Sequence, residues 1–235
     1  MMKDVFGDRW CLNFACEGHE VRVFGNLAAR LPVVYLHTIA DEGADIWRRC
    51  LDSGTPPFVL VEVSVPQWND DMTPWPGPAL RHGAQPFGGG ADAYLDTLSR
   101  CIVPKVERMM AFAPAWRGIA GYSLAGLFAL YAAWTTPLFD RVASMSGSLW
   151  YWGFAEYLRD AAPLSPLRYA YLSLGKEEGK TKDPTLAAVD ECTQWVKACL
   201  GDRGVAVTYE SNEGNHFSDP EGRTAKGVHA IVAAE

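Results

Sequence analysis

Residues 117–134 place three features in a fixed order: a short apolar run closing on glycine, a serine among small residues, and an alanine-rich apolar run. The first reads as a buried strand and the last as a helix, with Leu127, Phe128, Leu130 and Tyr131 to bury. Between them stands Gly121-Tyr122-Ser123-Leu124-Ala125-Gly126. The strict pattern Gly-x-Ser-x-Gly would put glycine at 125; here Ala125 stands there and Gly126 follows. A serine on so sharp a strand-to-helix turn is held in a strained backbone, with its Oγ projecting into a cleft. Gly-x-Ser-x-small also arises by chance in ordinary turns, but the flanking strand and helix favour the sharp turn.

Around this unit, strand and helix patterns alternate. Residues 9–25 read as two antiparallel strands around Glu17-Gly18, and residues 31–37 and 58–65 as buried strands with a helix at 44–51 between them. Residues 94–110 have helical spacing, with Pro104 kinking or restarting the helix. Strands are expected at 141–145, 169–174 and 205–210. Asp183-Pro184 starts a helix that Gly201 ends, and Ser218 to Glu221 has capping-box spacing for a last helix. This alternation implies an α/β fold, a mostly parallel sheet with helices on both faces, in one domain over residues 1–235. Residues 66–90, rich in Pro, Trp and Gly, read as a long loop without regular structure; loops of that length usually serve binding.

Composition narrows the function. The chain is 49% hydrophobic, carries a formal charge of -7 and shows no basic run, so nucleic acid is not an expected partner. No apolar run reaches the length of a membrane span, and Met1 to Asp8 lacks the apolar core of a signal sequence, so a cytoplasmic location is expected. The six cysteines include no CxxC pair and read as free thiols. No HxH or HExxH pattern is present, so neither a metal nor another cofactor is expected.

Ligands of parallel sheets bind beyond the carboxyl ends of the strands. Ser123, Glu177, Glu178 and His216 all follow predicted strands and so share that edge. A serine hydroxyl needs a base within hydrogen-bond reach, and the base needs a carboxylate to fix its tautomer. His216, after the last strand, is the expected base; His229 reads as structural or solvated, His19 as part of an N-terminal turn, His37 as the end of an early strand, and His82, in the proline-rich loop, as a candidate pocket lining. For the acid, Glu178 comes first and Glu177 second, while Asp183 is committed to capping. An oxyanion needs two backbone donors: the Leu124 N–H, and one from the turn near Thr38-Ile39. Tyr122, Trp68, Trp75 and Trp150 are substrate-binding candidates, the tryptophans reading equally well as packed loop anchors.

Several motifs together resemble a known family. These are Trp68 to Pro76, Gly88 to Leu95, Gly121 to Leu127, Ser146 to Trp150 and Gly214 to Phe217. They resemble the putative-esterase group of α/β-hydrolases, which includes enterochelin-esterase-like and esterase-D-like proteins. The resemblance runs through nearly the whole chain from about Leu31. It implies the α/β-hydrolase fold and hydrolysis of small-molecule carboxylic esters or thioesters, with Ser123 as nucleophile, His216 as base and the Ile39 N–H as second oxyanion donor. The sequence departs from the group at Ala125, at Thr38 where a glycine is frequent, and at Lys176 where relatives often carry an acidic or amide residue. An acyltransferase using the same site, and a non-catalytic binding protein on the same fold, are the competing readings.

Overall fold

The computed structural model describes residues 4–5, 10–163 and 167–234. The N-terminal residues 1–3 and 6–9, on which the reading of the leader rests, and the Cys11 side chain lie outside the described residues. Among the described residues, nine strands form one sheet: β1 (Asp4–Val5), β2 (Trp10–Cys16), β3 (His19–Phe24), β4 (Val33–Thr38), β5 (Val59–Ser64), β6 (Arg117–Tyr122), β7 (Arg141–Met145), β8 (Tyr169–Gly175) and β9 (Ala206–Asn212). Their spatial order is β1-β2-β3-β5-β4-β6-β7-β8-β9. Strands β5 through β9 pair in parallel, and β1 to β3 extend the sheet antiparallel beside β5. The β2–β3 hairpin turns on Glu17 (φ 49°) and Gly18 (φ 82°), a pair of positive values that suits the twist of a two-residue turn.

Helices α1 (Gly43–Asp52), α2 (Trp68–Asp71), α3 (Ala91–Thr97), α4 (Val103–Glu107), α5 (Leu124–Thr135), α6 (Phe154–Asp160), α7 (Pro184–Ala187), α8 (Val189–Asp202) and α9 (Pro220–Ala233) complete the fold. Alternation along the central strands divides the core. Val33, Tyr35, Val59, Val61 and Ile119 pack with α5 on one face. Val34, Leu36, Leu60 and Ala120 pack with Ile46 and Cys50 of α1 and Val228 and Ile231 of α9 on the other. Such strands, covered on both sides, read as continuous apolar runs. Helix α5 is buried from Leu124 to Trp134, so its sequence shows no polar face.

Three expectations need correction. Residues 66–90 are not wholly irregular: Trp68–Asp71 form a helical turn and Gly77 pairs with Phe87 in an antiparallel bridge, because the prolines leave these two stretches free to bond. The helix expected from Asp183 to Gly201 is two helices. The Asp183 side chain accepts from the Thr185 and Leu186 N–H groups, but α7 stops at Ala187 and α8 runs on to Asp202. The cap of the last helix is Asp219, not Ser218: Asp219 accepts from the Gly222 N–H, and Pro220 fixes the first turn one residue later than the capping-box spacing implied. Between α3 and α4, residues Leu98–Ile102 widen into a π-helical stretch. Pro104 has no N–H to give the carbonyl four residues back and crowds it, and the wider turn just before it accommodates both effects.

Candidate active site

Ser123 is the pivot between β6 and α5, with φ 58° and ψ -122°. Only a strongly over-determined turn holds a non-glycine residue there. Its N–H donates to the Met145 carbonyl at 3.0 Å, and its carbonyl accepts from Gly126, Leu127 and Ser148. The small residues around it follow from contact distances. A Cβ on Gly121 would sit 2.6 Å from the Cβ of Ala125, and one on Gly126 would sit 3.0 Å from both the Gly121 carbonyl oxygen and the Gly147 Cα. The position that cannot carry a side chain is therefore 126 rather than 125, which accounts for the Gly-x-Ser-x-Ala-Gly form.

His216 follows β9 and reaches back across the sheet edge. Its Nε2 lies 3.0 Å from Ser123 Oγ and its Nδ1 lies 2.8 Å from Glu178 Oε2. With Nδ1–H donated to the carboxylate, Nε2 is left as the acceptor facing the serine. The Glu178 side chain is 3% exposed, against 30% for His216. Its other oxygen, Oε1, accepts from Ser146 Oγ at 2.6 Å, the Gly175 N–H at 2.6 Å and Arg223 Nη1 at 3.1 Å. Burial alone would raise the Glu178 pKa; the hydrogen bonds from His216, Ser146 and the Gly175 N–H outweigh it and hold the carboxyl below its ordinary value. Glu177, the second candidate, is half exposed and pairs with Lys180 at 3.3 Å, so it takes no part in this array.

The backbone donors are placed by sheet register. Leu124 is the first residue of α5, so its N–H has no intrahelical partner. In the β4–β6 pairing His37 stands opposite Gly121, which sets Ile39 level with Ser123. The Thr38 carbonyl accepts from the Val65 N–H at 2.9 Å, on the β5 side. Across a planar trans peptide the Ile39 N–H points the opposite way, toward β6 and Ser123.

Arg223 and Glu62 were not singled out from the sequence, and Ser146 entered only as the first residue of a motif, with no role. Arg223, in the first turn of α9, donates to Tyr122 Oη, Ser146 Oγ and Glu178 through Nη1, and to the Glu213 carbonyl through Nη2. Ser146, directly after β7, is also a non-glycine residue at positive φ, 46°. The sequence carries no local signal for Arg223, which is one of several charged residues between Asp219 and Lys226. Of the substrate-binding candidates, Tyr122 donates to the His216 carbonyl at 2.7 Å and props the histidine loop. Trp75 donates Nε1 to the Trp152 carbonyl at 2.7 Å and packs on Tyr151 and Tyr157. Trp150 packs among Phe87, Tyr151 and Trp152, and Trp68 lies half-buried against the core. These contacts fasten the tryptophans to the neighbouring loop segments.

The remaining histidines stand apart. His19 opens β3 rather than lying in a turn, its Nδ1 3.0 Å from the Ser64 carbonyl oxygen. His229 meets Thr55 Oγ1 at 3.0 Å, and His82 is exposed on its loop. His37 is buried between Tyr94 and Phe128. Burial pushes its pKa down to about 3. Among the described residues, no group of three or more His, Cys, Asp or Glu side chains is placed to hold a metal ion, and no helix is long and apolar enough to cross a membrane. Lys176 is exposed and ion-paired with Glu213, away from the acid position.

Residues 29–217 match the family described as "Putative esterase". The chain belongs to the esterase family. A relative, the uncharacterized protein YbbA of Bacillus subtilis (strain 168), is 30% identical over 152 residues, which cover 63% of this chain and 61% of that protein. The alignment thus spans less than two thirds of that relative. Among solved structures, an IroE-like serine hydrolase from Shewanella oneidensis superposes with a TM-score of 0.72 at 18% identity, covering 91% of this chain and 75% of the other. The siderophore hydrolase EstB from Aspergillus nidulans superposes with a TM-score of 0.67 at 18% identity, covering 99% and 97%. At these identities the likeness establishes the α/β-hydrolase fold shared by the esterase family.

Proposed function

We propose that this esterase-family chain acts as one domain in the cytoplasm, hydrolysing small-molecule carboxylic esters through an acyl-enzyme on Ser123. The observation that carries the reading is the unbroken line from Glu178 Oε2 to His216 Nδ1 (2.8 Å) and from His216 Nε2 to Ser123 Oγ (3.0 Å). Ser123 Oγ attacks the ester carbonyl while His216 Nε2 takes its proton. The negative charge that develops on the carbonyl oxygen is met by the Leu124 and Ile39 N–H groups. His216 then returns the proton to the departing alcohol. Water enters, gives its proton to His216 and attacks the acyl carbon, and the carboxylic acid leaves as Ser123 regains a proton. Glu178 stays ionised throughout and stabilises the imidazolium.

A fluorophosphonate probe applied to wild type, Ser123→Ala and His216→Ala tests the reading. Labelling of wild type alone, with short acyl esters turned over only by wild type, supports it. A folded wild type that neither labels nor hydrolyses would make the site a binding scaffold instead.

A further inference from the structure

Glu62 lies in the middle of β5 and is 2% exposed, yet nothing in the serine–histidine–glutamate line uses it. Its Oε1 gathers three donors from one short stretch: Thr38 Oγ1 at 3.0 Å, the Glu42 N–H at 3.0 Å and the Gly43 N–H at 2.7 Å. Its Oε2 faces Arg22 Nη1 at 3.4 Å, and the same guanidinium pairs with Asp41. Gly43 has no room for a side chain, because a Cβ there would overlap the Glu62 carboxyl. Helix α1 has no side-chain cap of its own at Glu42, so Glu62 serves as the anion at its N-terminus from a neighbouring strand.

An ordinary cap would sit within the helix's own segment. This one ties the end of β4 to the start of α1, leaving only Ile39, Ala40 and Asp41 between the two fixed points. The single Thr38 hydroxyl proton is shared between Glu62 and the Ala40 carbonyl at 2.8 Å, and the Ile39 carbonyl accepts from Ser64 Oγ at 3.4 Å. The segment that carries the Ile39 N–H is thereby held at both ends and from the β5 side. Thr38 supplies the side-chain hydroxyl of this tie, which a smaller residue there would lack.

We propose that Glu62 is a positioning residue for ester hydrolysis, holding the 38–43 turn so that the Ile39 N–H meets the oxyanion. This rests on the reading of Ser123 as the nucleophile. Oxyanion donors stabilise the transition state more than the bound ester, so displacing one lowers kcat with little change in KM.

The test compares wild type, Glu62→Gln, Glu62→Leu and Thr38→Val on a short-chain p-nitrophenyl ester, with phenylboronic acid as a tetrahedral mimic and a melting curve for each. In Glu62→Leu, kcat is expected to fall by on the order of 10- to 100-fold, somewhat less than outright loss of an oxyanion donor. KM should stay within about 2-fold and boronate inhibition should weaken in parallel with kcat. Glu62→Gln keeps an oxygen for all three turn donors and should recover most of the loss. Thr38→Val removes one of the three and should lose several-fold in kcat, which decides the matter if Glu62→Leu does not fold. A lowered melting temperature with kcat and boronate affinity unchanged would reduce Glu62 to a helix cap and overturn the assignment. Equal losses in Glu62→Gln and Glu62→Leu overturn it too. A wild type that neither hydrolyses the ester nor labels with fluorophosphonate removes the nucleophile reading and this assignment with it.

Discussion

Arg223 Nη1 lies 3.1 Å from Glu178 Oε1, and both side chains are 3% exposed. The carboxylate is thus divided: one oxygen faces the arginine, the other faces His216. A buried ion pair contributes little net stability by itself, but removing one partner strands the other charge away from water.

Arg223→Met is therefore expected to cost about 3–5 kcal/mol in urea unfolding. It should also lower kcat, because Glu178 loses a partner that fixes its orientation. A variant with wild-type unfolding midpoint would show that the pair is not held as described.

Glu178→Gln keeps the shape but replaces the acceptor on His216 Nδ1 with an amide, which favours the wrong imidazole tautomer. By analogy with the serine protease triad, kcat should fall by on the order of 10⁴-fold. Glu177→Gln should change it less than about 2-fold, since Glu177 bonds only outward to Lys180. Steady-state kinetics on both variants separate the two acids.

Glu178 and His37 each give the stability a pH dependence of known sign. The folded pKa of Glu178 lies below its ordinary 4.5, so its ionised form is favoured by folding. That stabilisation is full above about pH 4.5 and is lost as pH falls through the lowered folded value. His37 adds to acid lability over a higher window. Its folded pKa of about 3 lies below its ordinary 6.5, so between those values the unfolded chain binds a proton that the folded chain refuses. Stability should fall by about 1.4 kcal/mol per pH unit from this group as pH drops below 6.5. His37→Leu should flatten that slope, read from urea midpoints between pH 7 and about 4.

Ala125→Gly restores the strict five-residue pattern and should leave kcat within about 2-fold, at a helix-propensity cost of about 1 kcal/mol. Gly126→Ala should be much worse. Its Cβ would press on Gly121, Ser144 and Gly147 at once, displacing the serine turn. Parallel melting curves and fluorophosphonate labelling rates distinguish the two substitutions.

The elbow was legible because its demands are local: a glycine before Ser123, small residues after it, a strand on one side and a helix on the other. His216 and Glu178 were legible at one remove, since a parallel sheet brings the residues after its strands to a common edge. Arg223, Ser146 and Glu62 were not, because each acquires its role from partners on separate elements. Glu62 in particular looks like one charged residue in an apolar strand until Thr38, Glu42 and Gly43 are brought to it. The tryptophans could be read two ways because ring area suits packing and ligand contact alike. The last helix's cap was misplaced by one residue because Ser218 and Asp219 are both good caps and the choice falls to Pro220.

The long tryptophan-rich connection is fastened on both sides of its bridge. Trp75 gives its ring N–H to Trp152 and takes the Tyr151 hydroxyl on its carbonyl, while Phe87 lies among three aromatic rings of the facing segment. A segment bolted down in this way works as a wall and has no hinge on which to swing. If Ser123 turns over an ester as proposed, the mouth beside this wall is expected to keep a constant shape, and kcat should not change with solvent viscosity.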